Sequence, residues 1–263
     1  MGIDGAGTAR AQCVLAPNPS PMTLDGTNTF VLAEPGATEA VVVDPGPADD
    51  GHLQRAAEQA TRDGRRVAVV LLTHGHLDHS EGAARFAELV GAPLRAADPQ
   101  LCAGGEPLAD GERIDVAGLV IDVLATPGHT TDSVSYHLPA DAAVLTGDTV
   151  LGRGTTVVTH PDGDLGAYLG SLHRLRELVT AQAVTTLLPA HGPMLADPAA
   201  VLDGYLAHRA ERLDQVRAAV AAGHRTAMDV VRSVYAEVDQ RVWPAAEQSV
   251  NAQLDYLRAR GEL

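Results

Sequence analysis

The spacing of apolar positions along the chain changes near residue 196. Before that point, short continuous apolar runs, which are typical of buried strands, alternate with segments whose apolar residues recur every three or four positions, as in helices. After it, the helical spacing continues almost to the last residue, interrupted at Gly223. The pattern predicts an α/β region over residues 1–196 and a helical region over residues 197–263.

The apolar runs of the first region are short enough to be strands, and several are rich in valine. The predicted strands occupy residues 30–33, 40–44, 67–72, 119–127, 133–138, 142–148 and 184–192. Helices are predicted at residues 53–60, 83–90, 165–179, 197–223, 226–238 and 244–263. The first two strands flank the turn signal Pro35–Gly36 and are expected to form a hairpin. Residues 1–27, rich in glycine, proline and threonine, are predicted to be irregular.

Four of these runs end in a turn that carries histidine or aspartate: THGHLDH, TPGHTTD, LTGDT and LLPAHG. The densest of these turns, THGHLDH, places three imidazoles and a carboxylate within six residues of a buried strand end. Without a cation, such groups would repel one another or lack hydrogen-bond partners. The candidate metal ligands are His74, His76, Asp78, His79, His129, Asp148 and His191.

Seven ligands are too many for one tetrahedral ion and suit two divalent ions that share one aspartate. Imidazole and carboxylate ligands favour Zn²⁺, and they also suit Mn²⁺ or Fe²⁺. Two such ions activate water for attack on a carbonyl carbon or a phosphorus atom. Asp78 is a candidate for orienting that nucleophile, and His160 is a candidate proton donor to the leaving group. The pattern therefore predicts a dinuclear metal-dependent hydrolase.

Composition narrows the surroundings of this enzyme. The net charge of −15 disfavours sequence-independent binding to nucleic acid, which needs a basic surface. The two cysteines have no CxxC spacing and are expected to be free thiols. The chain has neither an apolar run of about 20 residues nor an N-terminal signal pattern. We therefore expect a cytoplasmic protein with no membrane contact.

The four motifs together resemble the metallo-β-lactamase superfamily. This resemblance implies an αββα sandwich with the metal site at one edge of its two sheets. It implies a first ligand set of His74, His76 and His129. It implies a second set of Asp78, His79 and His191, with Asp148 as the bridging ligand.

A closer resemblance extends over nearly the whole chain. The segments NPSPMTLDGTNTFVL, GDTVLGRGTT and YLAHRAER are similar to those of the β-lactamase-like protein 2 group, which includes a mitochondrial endoribonuclease. In that group the tail is a small winged-helix-like domain that helps to frame the cleft. The resemblance thus implies a catalytic domain over residues 1–196 and a winged-helix-like domain over residues 197–263.

The fold and the metal ions do not determine the substrate, so three hypotheses stay open. The resemblance favours a phosphodiesterase that cuts single-stranded RNA, with Arg153 as a candidate phosphate contact. The tail offers further candidates, which would otherwise be helix-surface arginines paired with acidic neighbours. These are Arg209, Arg212, Arg217, Arg258 and Arg260.

The second hypothesis is a hydrolase of a small thioester, ester or lactam. A glutathione thioester would need a basic patch near the C-terminus, and the sequence has no clear one. The third hypothesis is a non-catalytic nucleic-acid-binding module that uses the tail. It is disfavoured because all seven ligands are present and because the last predicted helix has only two arginines.

Overall fold

Two β-sheets lie face to face in the computed structural model, which describes residues 2–158, 160–237 and 239–263. Helices cover the outer faces of both sheets. This arrangement is the αββα sandwich that the resemblance implies. Positions 1, 159 and 238 lie outside the described residues; they fall in the predicted first domain, the loop of His160 and the end of the helix predicted at 226–238.

The first sheet contains five strands in the order β1-β2-β3-β4-β5. They are β1 (Ala11–Leu15), β2 (Asn28–Leu32), β3 (Glu39–Val43), β4 (Arg66–Leu71) and β5 (Leu94–Arg95). The predicted hairpin is confirmed, because β2 and β3 pair antiparallel. The pairs β3–β4 and β4–β5 are parallel, so β3 and β4 end at the same edge of the sheet.

The second sheet contains six strands in the order β11-β10-β9-β8-β7-β6. They are β6 (Arg113–Val116), β7 (Leu119–Ala125), β8 (Val134–Leu138), β9 (Ala143–Gly147), β10 (Thr186–Pro189) and β11 (Leu195–Ala196). The strands β9 and β10 are parallel, and the other neighbouring pairs are antiparallel. Parallel pairing again brings two strand ends to one edge.

One prediction about the first 27 residues was wrong. They are not irregular throughout, because Ala11–Leu15 forms the edge strand β1 and pairs with β2 in full register. Its apolar run, Cys13 to Leu15, is only three residues long, which is too short to distinguish a strand from a loop by pattern. The buried neighbours on β2, such as Phe30, supply the packing that the local sequence does not reveal.

The outer layers use seven α-helices. They are α1 (Asp50–Ala60), α2 (Leu77–Ser80), α3 (Ala83–Val90), α4 (Leu165–Ala181), α5 (Pro198–Ala221), α6 (Ala227–Val234) and α7 (Trp243–Ala259). The helices α1 and α3 pack on the first sheet, with Phe86 fully buried between them and the sheet. Helix α4 packs on the second sheet, and the tail helices pack on α4.

The tail begins with a well-defined helix start. The side chain of Asp197 accepts a hydrogen bond from the backbone N–H of Ala200, and Pro198 occupies the first turn, where its missing N–H costs nothing. The described residues from 197 onward contain three α-helices and no strand. None of the helices in the described parts of the chain is both long and apolar enough to cross a bilayer. The domain boundary at residues 196/197 stays a prediction.

Candidate metal centre

The four predicted ligand motifs meet where the two sheets join. The end of β4 reaches the second sheet through a hydrogen bond from the backbone N–H of Val134 to the carbonyl of Thr73 at 2.8 Å. The start of β2 reaches β10 through a bond from the N–H of Asn28 to the carbonyl of Ala190 at 2.7 Å. These links hold the loops from both sheets against one another, and all seven predicted ligands lie in them.

Three imidazoles form the first ligand set. The Nδ1 atom of His76 lies 3.1 Å from Nε2 of His74 and 3.0 Å from Nε2 of His129. Ligand atoms at about 2.1 Å from a tetrahedral zinc ion would lie roughly 3.4 Å apart. The three nitrogens are therefore spaced almost as they would be around a single ion.

The hydrogen bonds behind these rings identify the lone pairs. The Nδ1–H of His129 donates to the carbonyl of Val157 at 2.6 Å. The Thr73 hydroxyl donates to Asp44, so it accepts the Nδ1–H of His74 at 3.1 Å. Both Nε2 atoms then point an unshared pair toward His76 Nδ1, which has at most one proton to offer. A cation satisfies all three nitrogens at once.

The second ligand set combines two imidazoles with a carboxylate. The Nε2 atom of His191 lies 3.2 Å from Oδ2 of Asp78, and Nε2 of His79 lies 3.5 Å from the same oxygen. The backs of the two rings are engaged, His79 Nδ1 by Asp44 at 2.9 Å and His191 Nδ1 by the carbonyl of Gly26 at 3.1 Å. Both inward-facing Nε2 atoms are buried and have no hydrogen-bond partner.

Asp148 lies between the two sets. Its Oδ2 atom is 3.6 Å from Nε2 of His129, whereas its Oδ1 atom is 3.4 Å from Nε2 of His191 and 3.7 Å from Nε2 of His79. Each carboxylate oxygen thus faces a different set. The Oδ1 atom is buried without a hydrogen-bond partner, as expected for a ligand that bridges two cations.

The electrostatics of the site change with position. Burial would raise the pKa of Asp148, but the nearby imidazoles of His191 and His79 outweigh burial and hold it well below its usual range. Burial would lower the pKa of His191, but Asp148 outweighs burial and raises it to about 9. Burial and the neighbouring His79 hold the pKa of His74 well below its usual value. The second set thus carries the greater negative potential, which a divalent cation would neutralise.

A glycine fixes the loop of His129. Gly128 has φ +134, and a Cβ atom there would meet the backbone of Tyr168 at 2.3 Å. The start of α4 docks on this glycine, because the N–H of Asp164 donates to its carbonyl at 3.0 Å. A side chain at position 128 would push α4 away from the ligand loop.

The comparisons with known proteins agree with this geometry. Residues 22–191 match the metallo-β-lactamase superfamily, and residues 226–262 match the β-lactamase-associated winged helix domain. The chain belongs to the metallo-β-lactamase superfamily. The winged-helix interpretation of the tail is confirmed, and the chain is a metal-dependent hydrolase of this superfamily.

Relatives match over most of the superfamily chain. It is 30% identical over 271 residues to the "Beta-lactamase-like protein 2 homolog" of Drosophila melanogaster, covering 95% of this chain and 88% of that protein. It is 32% identical over 247 residues to the "Atrochrysone carboxyl ACP thioesterase" of Aspergillus chevalieri, covering 89% of this chain and 76% of that protein. The crystal structure of a β-lactamase domain protein from Burkholderia ambifaria has a TM-score of 0.81 at 24% identity, covering 96% and 87% of the two chains.

Sequence reasoning missed one residue of this superfamily site. Asp44, which is 1% exposed, follows β3 directly and contacts Thr73 as well as His79. Its signal was available, because it ends an apolar strand just as the predicted ligands do. It supports a ligand imidazole from behind and does not belong to either ligand set.

The two remaining candidates lie outside the ligand sets. Arg153 is half exposed and pairs with Asp25, while its backbone lies beside Gly192, the residue after ligand His191. His160 is bonded to Asp255 of α7 at 3.1 Å. Substrate contact by Arg153 and proton donation by His160 stay predictions.

Proposed function

We propose that this hydrolase holds two divalent cations, Zn²⁺ in the first instance, and that its substrate is single-stranded RNA. The observation that carries the dinuclear site is the convergence of unpaired lone pairs from His74, His129, His79 and His191 on the two oxygens of Asp148 and on their neighbours. Two such cations supply an activated water and polarise the substrate oxygen.

The residues of the chain supply position and orientation. Asp78 is the most exposed of the three carboxylates around the second set, at 29% of its side chain. Its carboxylate can therefore accept a hydrogen bond from the attacking water while the rings of His79 and His191 hold it in place. The burial of those rings excludes other water from the ligands.

Two features support RNA as the substrate. The alignment with the β-lactamase-like protein 2 homologue spans both the sandwich and the tail, and the group that it names includes an endoribonuclease. A groove of about 530 Å³ opens beside His76, which is within the usual range of ligand sites. It gives an extended substrate room next to the first ligand set.

A second candidate is hydrolysis of a thioester. A thioesterase is among the relatives, at 32% identity. In addition, the groove beside His76 is lined by Asp98, Asp132 and Asp162, and these carboxylates would repel a polyanion. A thioester has no such charge to be repelled.

Cleavage of an end-labelled single-stranded RNA would test the proposal. The purified protein would be assayed with added Zn²⁺ or Mn²⁺ beside a His76→Ala/Asp78→Ala double variant. His173→Ala, on the exposed face of α4, is the matched control. We expect cleavage by the wild type and the control and at least a 100-fold loss in the double variant, since both ligand sets are damaged.

Intact RNA with the wild type, or equal cleavage by the double variant, would contradict the RNA proposal. The same preparations would then be assayed on an acyl thioester panel. Thioester hydrolysis that depends on His76 and Asp78 would establish the second candidate. Loss of both activities in the control would show that the variants report unfolding and not site chemistry.

We also propose a cytoplasmic location. Both cysteines are free, and burial raises the pKa of the Cys13 thiol to about 12, so this thiol is held in its unreactive form. Cell fractionation followed by detection of the protein would test this proposal, and recovery in an extracytoplasmic fraction would contradict it.

A further inference from the structure

A second cavity lies between the metal loops and the tail. It has a volume of about 270 Å³ and is walled by Met22, residues 155–157, and side chains of α5, α6–α7 and the segment between them. We call it the tail cavity. The segment YLAHRAER, which the resemblance singled out, supplies its His208 and Arg209, and Arg212 follows one turn later on α5.

The wall of the tail cavity is continuous with the metal centre. Val157 lines the cavity, and its carbonyl accepts the Nδ1–H of ligand His129 at 2.6 Å. The hydroxyl of Thr156 donates to the carbonyl of Asp148, the bridging carboxylate residue, at 2.7 Å. One imidazole ring therefore separates the cavity wall from the first ligand set.

The cavity is cationic, unlike the groove beside His76. None of its described lining residues is acidic. Arg209 is 4% exposed, donates to the carbonyl of Thr156 and lies over the ring of Tyr168, yet its buried Nε atom has no hydrogen-bond partner. Burying a guanidinium N–H without an acceptor is costly, which indicates that an anion completes the site.

Arg212 adds a second positive charge. Its guanidinium lies over the ring of Tyr235 and donates to the amide oxygen of Gln215 at 2.7 Å. Within the described residues, no carboxylate lies within ion-pair distance of Arg209 or Arg212, whereas Arg217 and Arg258 pair with acidic neighbours. The prediction that tail arginines are surface ion pairs thus holds for some of them and fails for these two.

We infer that the tail cavity binds a backbone phosphate of single-stranded RNA, adjacent to the phosphodiester that is cleaved. This inference rests on the proposed function. A guanidinium group matches the geometry of phosphate oxygens, and the hydroxyl of Thr155 and the ring of His208 lie at the same wall. The apolar lining from Met22, Val242 and Ala246 offers packing for the attached nucleoside.

Steady-state cleavage of single-stranded RNA by Arg212→Gln would test the inference. The matched control is Arg217→Gln, an exposed arginine further along α5 that faces Asp214 and Glu262. We expect Arg212→Gln to raise KM about tenfold, as loss of one charge-assisted contact predicts, with a smaller effect on kcat. We also expect the slope of log KM against log salt to fall by about 0.7, the value for one phosphate on a single strand.

The controls separate binding from folding and from the proposed function. Thermal unfolding and bound metal content would be measured for each variant, and Arg212→Lys should recover part of the affinity because it restores the charge. Unchanged KM and salt slope in Arg212→Gln, with cleavage by the wild type intact, would overturn the cavity and leave the proposed function standing. No RNA cleavage by the wild type would contradict both.

Discussion

Asp44 shows how one residue outside the ligand sets determines the orientation of a ligand. Its two oxygens accept bonds from the N–H of Thr73 at 2.7 Å, the Thr73 hydroxyl at 2.7 Å and His79 Nδ1 at 2.9 Å. The third bond holds the Nδ1 proton, so that Nε2 faces the second ligand set. The residue has φ +51, a conformation that aspartate and asparagine tolerate better than most residues.

Asp44→Asn is expected to weaken metal binding by about 10- to 100-fold, because an amide holds the His79 proton less strongly than a carboxylate does. A competition titration against a chelator would measure this affinity. Asp122→Asn is the matched control, since Asp122 bonds His137 Nδ1 at 3.3 Å outside both ligand sets. Equal affinities in the two variants would show that Asp44 does not act through His79.

His52 predicts an acid-sensitive fold. The ring is 0% exposed, and its Nε2 atom bonds the Thr29 hydroxyl at 2.8 Å. Burial, together with the charge of Arg55, lowers the pKa of His52 to about 4. The unfolded chain therefore takes up a proton on this residue below pH ~6.5, whereas the folded chain does not until the pH approaches 4.

The free energy of unfolding should consequently fall as the pH drops, with His52 contributing about 2 kcal/mol of the loss between pH 7 and pH 5. Urea unfolding of the wild type and of His52→Gln at both pH values would measure it. The variant should lose less stability than the wild type over this interval. Parallel losses in the two proteins would contradict the assignment.

At the scale of elements, the contact between α4 and the loop of His129 positions the first ligand set. The capping aspartate of α4, Asp164, donates its N–H to the carbonyl of Gly128, and Ser171 donates its hydroxyl to the carbonyl of Pro127 at 2.7 Å. Helix α4 also places Tyr168 against the absent side chain of Gly128. The helix and the ligand loop therefore behave as one unit.

Gly128→Ala should destabilise the protein by about 3 kcal/mol or more, because the new Cβ meets backbone and the φ angle is unfavourable for alanine. Bound metal should fall with it. The control is Gly170→Ala, at an exposed position of α4 with no atom within 4 Å of the added Cβ, where alanine should add up to about 1 kcal/mol. Thermal unfolding and metal analysis measure both effects, and equal unfolding temperatures would refute the packing argument.

At the scale of the whole molecule, the tail and the second sheet share one hydrophobic core. Leu172 and Leu175 of α4 pack in a cluster with Leu213 of α5, Val231 of α6 and Leu257 of α7. Each of these side chains is buried. The sequence boundary at residue 196 marks a change of secondary structure, but the apolar packing continues across it.

Removal of residues 197–263 should therefore leave an aggregating or partly unfolded protein. Each buried leucine that becomes exposed costs about 2 kcal/mol, and several are exposed together. Size-exclusion chromatography and circular dichroism would measure the outcome. Removal of residues 260–263 alone, which are exposed, should change the stability by less than about 1 kcal/mol. A monomeric, folded 1–196 fragment would contradict the shared core.

The sequence by itself determined the main strands, the αββα class and the seven side chains that meet at the metal centre. It could do so because these features are local: apolar runs such as VAVVLL mark strands, and THGHLDH concentrates groups that need a cation. The strand β1 escaped prediction because its apolar run is too short to reveal the packing that stabilises it.

Only the tertiary structure decided which groups lie behind the ligands and which arginines lack a carboxylate. The contact of Asp44 with His79 joins positions 35 residues apart, and the contact of Arg209 with Thr156 joins positions 53 apart. Neither separation leaves a periodic signal in the chain. Such pairs form because sheet pairing and helix packing bring distant strand ends together, so the tail cavity exists only in the folded molecule.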